Sequence, residues 1–317
     1  MRHSHSYSKR GTLDSCLRKY FFEYYASAKK LPFDAGQKDL IRGLKGFTNT
    51  HMLAGESLHW FIEQRLKKGI SSQAWAERTA LDQFERAVRY SRDPERMGHM
   101  RADKYPPPML LEFYYQDPRA DDLVTAAREG LQRGIRHFLR EGAVVSLWGT
   151  ITAGEHWVEK RVSKLPKIDG YGIDGQIDLA GRDGGVIRIV DWKSGVQVGG
   201  HDSFQMLIYG LWAEKEFAVK PDDVRVQRVF LGGPTVEQEK ALDRTMLRAG
   251  RARLIQDIEL MEDLDPYGRE GNEEAFSPCM KANVCRQCSY QQACKANCSG
   301  LAPRRTFASL PLLKARA

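Results

Sequence analysis

Asp178, Asp191 and Lys193 stand close together in one stretch, IDGQIDLAGRDGGVIRIVDWKSG, which runs from Ile173 to Gly195. A strand otherwise made of Val and Ile ends in Asp-Trp-Lys, and buried charge is costly unless something compensates it. In an extended strand alternate side chains share a face, so Asp191 and Lys193 point the same way, about 6.5–7 Å apart at Cα. Trp192 points to the other side with Val190. Asp178 is expected to close the preceding strand, GQID, with AGRDGG as a hairpin-like connection. Two carboxylates and one ammonium would then converge on one spot. Carboxylate oxygens suit a hard cation such as Mg²⁺. Such an ion lowers the pKa of a bound water and neutralises charge on a phosphodiester. An Asp-Lys ion pair on a surface hairpin would carry the same triplet. What favours the metal site is the apolar run before it, the acid in the previous strand and the Gly after it.

Two further segments carry candidates. His59, in GESLHWFIE, lies on a stretch with Leu58, Phe61, Ile62 and Leu66 at helical spacing, and could supply an imidazole ligand to the same cation. In SFQMLIYGLWAEKEF, Gln205, Tyr209 and Trp212 share one stripe beside Leu207, Ile208 and Leu211. That stripe is either plain helix packing or a cleft edge where Gln205 and Tyr209 hydrogen-bond a phosphate or Lys193.

The six cysteines are Cys16, Cys279, Cys285, Cys288, Cys294 and Cys298. The crowding of five of them between 279 and 298 argues for a metal rather than disulfides in a cytosolic protein. Cys285-Arg-Gln-Cys288 has the spacing for two thiolates on one ion, and Cys294 adds a third. Cys279, Cys298 and Cys16 compete for the fourth place. Structural Zn²⁺ and a [4Fe–4S] cluster would both satisfy four thiolates.

The elements that must position these residues follow from periodicity. Segment 6–29 is predicted to be a short entry and then an aromatic-rich helix carrying Cys16, with further helices at 48–67, 71–92, 119–141, 203–217 and 236–263, and strands at 155–164, 171–180, 185–192 and 224–231. The three prolines at 106–108 mark a loop, and 277–299 reads as a turn-rich Cys module. The order points to an α/β fold: a helical N-terminal region (1–145, with Cys16 and His59), a core (146–265), a Cys-rich module (266–300) and a basic tail (301–317). The 317 residues suffice for one large core or two small ones. Lys plus Arg exceed Asp plus Glu by 49 − 41 = 8, and the pI is about 9.1, a balance that suits a polyanion such as nucleic acid. The absence of long apolar runs and of a secretory-signal pattern argues for a cytoplasmic protein without a membrane span. No GxxxxGK[ST] motif is present, so any unwinding of DNA would fall to a partner.

With these motifs together, from SYSKRGTLDSCLRKYFFEYY through GESLHWFIE, GQID, DWKSG and QMLIYGLW to CRQCSYQQAC, the chain resembles the RecB-like branch of the PD-(D/E)XK nucleases. The resemblance is to the iron–sulfur members, which include CRISPR-associated adaptation nucleases and AddB-type helicase-nuclease domains. It implies a restriction-endonuclease-like core, a mixed central sheet flanked by helices. His59, Asp178, Asp191 and the main-chain carbonyl of Trp192 would hold Mg²⁺ or Mn²⁺. Lys193 would be the catalytic lysine, with Gln205 and Tyr209 as the motif that follows it. Cys16, Cys285, Cys288 and Cys294 would hold a [4Fe–4S] cluster, with Zn²⁺ as the alternative occupant. Asp191 stands where many members carry Glu, and Cys279 and Cys298 are extra. The implied activity is a DNA exonuclease on single strands or ends, working with a helicase or similar partner in repair, CRISPR adaptation or phage DNA metabolism. The alternative is a non-catalytic or zinc-stapled DNA-binding subunit.

Overall fold

The apolar run 186–193 forms the central strand of a mixed sheet, and the strands beside it follow from where the chain can turn. This computed structural model describes residues 4–26, 33–68, 73–93, 107–161, 169–197, 204–265 and 272–294. The chain packs as two units. One comprises Met1–Tyr7, Ala54–Leu81 and Arg128–Leu260, and the other Ser8–Leu53, Asp82–Ala127 and Met261–Ala317.

The first unit is built on a sheet of β2 (His156–Arg161), β4 (Gln176–Asp183), β5 (Val186–Lys193), β6 (Val224–Phe230) and β7 (Thr235–Val236), in that order. β8 (Lys240–Ala241) also pairs with β6. β1 (Ser4–His5) and β3 (Gly172–Ile173) form a separate parallel pair. β2 with β4 and β4 with β5 pair antiparallel, whereas β5 and β6 are parallel. A parallel step needs a crossover, and the helix Phe204–Phe217 lies in the connection between β5 and β6.

That helix buries Phe204, Ile208, Tyr209 and Trp212 in a core with Ile187 and Ile189 of β5 and Leu254 and Ile258 of the helix Arg244–Leu264. Fully burying one such side chain is worth about 1.5–3 kcal/mol, so this layer holds the sheet rigid behind the site. The helix Gly142–Thr152 packs on β4, where a Cβ at Gly181 would lie 2.6 Å from Ile151 Cγ2. Phe138, on the helix Ala120–Arg140, meets the Trp192 ring edge-on at 5.5 Å.

Three sequence expectations need revision. β4 does not stop at Asp178 but runs to Asp183. The turn is Gly184-Gly185, with Gly184 at φ +59, a conformation glycine adopts at no steric cost. The ladder continues through Gly181↔Arg188 to Asp183↔Val186, so Asp178 is interior to its strand. The helix expected over 236–263 begins only at Arg244. Gly232-Gly233-Pro234 turns the chain back onto β6 as β7 and β8, and Asp243 then accepts from Met246 N at 2.7 Å as the N-cap. The helix expected within 6–29 is two, Tyr7–Ser15 and Leu17–Tyr24, because Cys16 adopts extended backbone (φ −168°, ψ 117°) as the second helix's N-cap.

The second unit centres on the aromatic helix Leu17–Tyr24. Tyr20, Phe21, Phe22 and Tyr25 are buried with Phe276 and Tyr290. Arg18 Nε donates to Phe276 O at 2.7 Å, and the Tyr290 hydroxyl donates to Glu23 at 2.5 Å. Segments 250 residues apart in sequence are therefore locked by both packing and hydrogen bonds. Residues 27–29, 71–72, 106, 162–164, 203, 266–271 and 295–317, which include parts of the expected helices, strand and Cys-rich module, Cys298 and the basic tail, lie outside the described residues. Among the described residues no helix is long and apolar enough to cross a membrane.

Candidate active site

The strand ladders place three acids abreast. Val158↔Leu179 and Lys160↔Ile177 bracket Glu159 opposite Asp178. One step beyond Leu179↔Val190, Asp178 comes abreast of Asp191. Directly opposite residues of an antiparallel pair sit on the same face, and like charges there repel. The arrangement therefore needs a positive partner.

His59 supplies one, from the helix Thr50–Lys68. Its Nδ1 lies 3.5 Å from Glu159 Oε1 and 3.5 Å from Asp178 Oδ1. Burial alone would lower the imidazole pKa, but Asp178 and Glu159 outweigh it and hold the pKa well above its ordinary value. The other oxygen of Asp178 accepts from Trp192 N–H at 2.7 Å, which fixes the carboxylate and leaves Oδ1 facing His59. Gly55, one turn before His59, faces the turn after Lys193: a Cβ there would lie 3.4 Å from Ser194 Oγ, an ordinary contact distance.

Asp191 is only 2% exposed. Burial, and then the Asp178 charge, push its carboxyl up to about 6, with Lys193 and His59 opposing. Lys193 Nζ lies 2.7 Å from Asp191 Oδ2, close enough for an ion pair although Oδ2 accepts no aligned hydrogen bond. Nζ donates instead to Gln205 Oε1 at 2.9 Å. Gln205 Nε2 in turn donates to the Tyr209 hydroxyl, and that hydroxyl donates to Gln176 O, both at 2.7 Å. Burial and the two aspartates raise the Tyr209 pKa above its ordinary value, so the hydroxyl stays a neutral donor. The chain Lys193–Gln205–Tyr209–Gln176 ties the lysine to the strand that carries Asp178.

The structure thus connects His59, Asp178, Asp191, Lys193, Gln205 and Tyr209, while Trp212 belongs to the core and has no part in the site. Glu159 is the residue that sequence reasoning missed. His59, Glu159 and Asp178 offer ligand atoms within 4.8 Å of one another, the one such group among the described residues. In HWVEKR its glutamate looks like an ordinary strand acid; only the register opposite Asp178 marks it, and a single sequence does not carry register. Oxygen and imidazole donors of this kind suit Mg²⁺ or Mn²⁺. The fit is supported by Glu159 Oε1, a buried carboxylate oxygen with no hydrogen bond, and by Asp191, a buried carboxylate whose Oδ2 meets only the Lys193 ammonium.

In the second unit Cys16, Cys279, Cys285, Cys288 and Cys294 line one pocket, together with Arg18 and Lys19. The kink at Cys16 and the turn Cys285–Cys288, where Cys288 N donates to Cys285 O at 3.1 Å, bring the two ends of the chain to it. Burial pushes the Cys288 thiol up to about 11 despite Lys19, so a metal would be needed to hold it as thiolate. Cys285 is disulfide-bonded. Among the described residues no three cysteine sulfurs converge within 4.8 Å.

Comparison with known proteins adds a family. Residues 4–295 match the model of the PD-(D/E)XK nuclease superfamily. No curated protein matches the chain. Among solved structures, the chain is similar to the one described as "Crystal structure of SSO0001", at 16% identity and a TM-score of 0.31. That likeness covers 66% of this chain and 84% of the other, and at so low a score it carries no argument.

Proposed function

Since the chain belongs to the PD-(D/E)XK nuclease superfamily, and is on that ground a metal-dependent nuclease, we propose that it is a Mg²⁺- or Mn²⁺-dependent DNase acting as an exonuclease on single-stranded DNA or DNA ends. The observation that carries this reading is the set Asp178, Asp191 and Lys193 on adjacent strands with His59 brought against them from its helix. The cation would be held by His59, Asp178, Asp191 and the main-chain carbonyl of Trp192. When bound, it would acidify a water and neutralise charge on the scissile phosphate.

The protein's own groups do the rest. Asp178 is oriented by Trp192 N–H before any ligand arrives, which lowers the reorganisation needed during reaction. Lys193 has a third of its side chain exposed and is steadied by Gln205, so its ammonium can orient the attacking water or meet the developing phosphorane charge. Tyr209 fixes Gln205 and takes no proton. The net charge of +8 favours capture of a polyanionic substrate.

The thiol pocket supports a [4Fe–4S] cluster on Cys16, Cys285, Cys288 and Cys294, which requires Cys285 in reduced form. Tetrahedral zinc, with Zn–S near 2.3 Å, would hold sulfurs about 3.8 Å apart. Arg18 and Lys19 in the wall of the pocket suit an anionic group such as an iron–sulfur cluster on thiolates. The test is cleavage of end-labelled single- and double-stranded DNA with and without Mg²⁺ or Mn²⁺. Lys193→Ala is expected to lose roughly 10²–10³-fold in rate, the cost of one transition-state donor. Unchanged cleavage by that variant refutes the assignment.

A further inference from the structure

We propose that Glu159 is a direct ligand of the catalytic cation, so that β2 contributes to the metal centre alongside β4, β5 and the His59 helix. The inference rests on the metal-dependent reading of the site above. Three independent observations carry it.

The first is burial without satisfaction. The Glu159 side chain is nine-tenths buried, and its Oε1 has no hydrogen-bond donor. Its other oxygen accepts from Gln176 Nε2, which leaves Oε1 directed at His59 and Asp178. Leaving a buried carboxylate oxygen without a hydrogen bond is costly, because its lost hydration is not replaced.

The second is backbone strain at the same residue. Glu159 has φ +51° in the middle of a strand. A non-glycine residue is strained there, and such strain gathers at functional sites. The ladder keeps its register on both sides, so the distortion re-aims a single side chain without altering the sheet.

The third is charge. Glu159 lies opposite Asp178, which itself lies abreast of Asp191, so three carboxylates share one row. Lys193 pairs with Asp191 at the far end of the row, which leaves Glu159 and Asp178 to share one imidazole at 3.5 Å from each. A divalent cation bound by Oε1 together with Asp178 Oδ1 and the imidazole would relieve the burial and the repulsion at once.

The experiment uses the full chain, stripped with EDTA and titrated with Mn²⁺ by calorimetry and by loss of the free-ion EPR signal. Glu159→Gln keeps the shape, and Glu159→Gly removes the carboxylate at a φ that glycine tolerates. Both are expected to fold in EDTA, shown by circular dichroism, and to bind Mn²⁺ at least 10-fold more weakly than wild type. Glu216→Gln, which alters only a surface contact with Lys160, is expected to keep wild-type affinity. Wild-type affinity in both Glu159 variants overturns this inference alone. A merely structural Glu159 would show itself as lower stability in EDTA with unchanged Mn²⁺ affinity, and that result also overturns it. A wild-type protein that binds no Mn²⁺ overturns the metal-centre reading as well.

Discussion

Replacing Asp191 by Asn should make the metal-free protein more stable. Asp191 is 2% exposed, its Oδ2 accepts no aligned hydrogen bond, and Asp178 stands abreast of it. A carboxyl held at about 6 instead of its ordinary 3.8 pays on the order of 3 kcal/mol to ionise at neutral pH. The sign follows from proton counting: between roughly pH 4 and pH 6 the folded chain binds a proton that the unfolded chain has released, so stability falls as pH rises through that window. Asn removes the charge and nearly keeps the shape. Lys193, partly exposed and bonded to Gln205, is not stranded by the change. Urea unfolding in EDTA at pH 8 should therefore show a gain of roughly 1–3 kcal/mol for Asp191→Asn, shrinking toward zero near pH 4. In saturating Mn²⁺ the order should reverse, since ligand at about 1,000 times Kd adds roughly 4.1 kcal/mol to the wild type and much less to the variant. A variant less stable than wild type at pH 8 in EDTA, or a difference indifferent to pH, would refute the reasoning.

Other perturbations probe the scaffold and the second unit. A Cβ at Gly232 would lie 2.5 Å from Gly195 C and 2.8 Å from Ser194 O, both backbone atoms that cannot swing aside. Gly232→Ala should cost about 1–3 kcal/mol in unfolding free energy and slow cleavage more than it weakens Mn²⁺ binding, because it displaces the turn after Lys193. Equal loss in both would place the damage elsewhere. Cys288→Ser should remove protein-bound iron and its visible absorbance and lower Tm, since cluster ligation contributes folding free energy. Unchanged iron content and Tm would rule out Cys288 as a ligand.

Periodicity made much of this molecule legible. Val and Ile at 186–190 announce a buried strand, and the helical spacing around His59 and Tyr209 anticipates the helices that carry them. Asp191 and Lys193 share a face for the simple reason that a strand alternates. Glu159 stayed hidden because its importance lies in pairing: nothing within HWVEKR says that Asp178 will lie across from it. Asp178 looked like a strand end because Gly181 reads as a turn residue. Gly181 is there instead because Ile151 presses on the sheet at that point, and no side chain would fit. The break at Cys16 was equally opaque, since an extended residue between two helical runs leaves the aromatic periodicity intact.

His59 is separated from Asp178 by more than a hundred residues, and Asp191 and Gln205 come later still. A chain emerging from the ribosome therefore carries the imidazole long before it has anything to share a metal with. The lysine is aimed only after Gln205 and Tyr209 have been added and the helix that bears them has folded back on the sheet. A truncated or half-made copy holds no complete cutting centre. For a member of a nuclease superfamily, this chain order means that the cutting centre exists only once the sheet and the helix bearing Gln205 and Tyr209 are both in place.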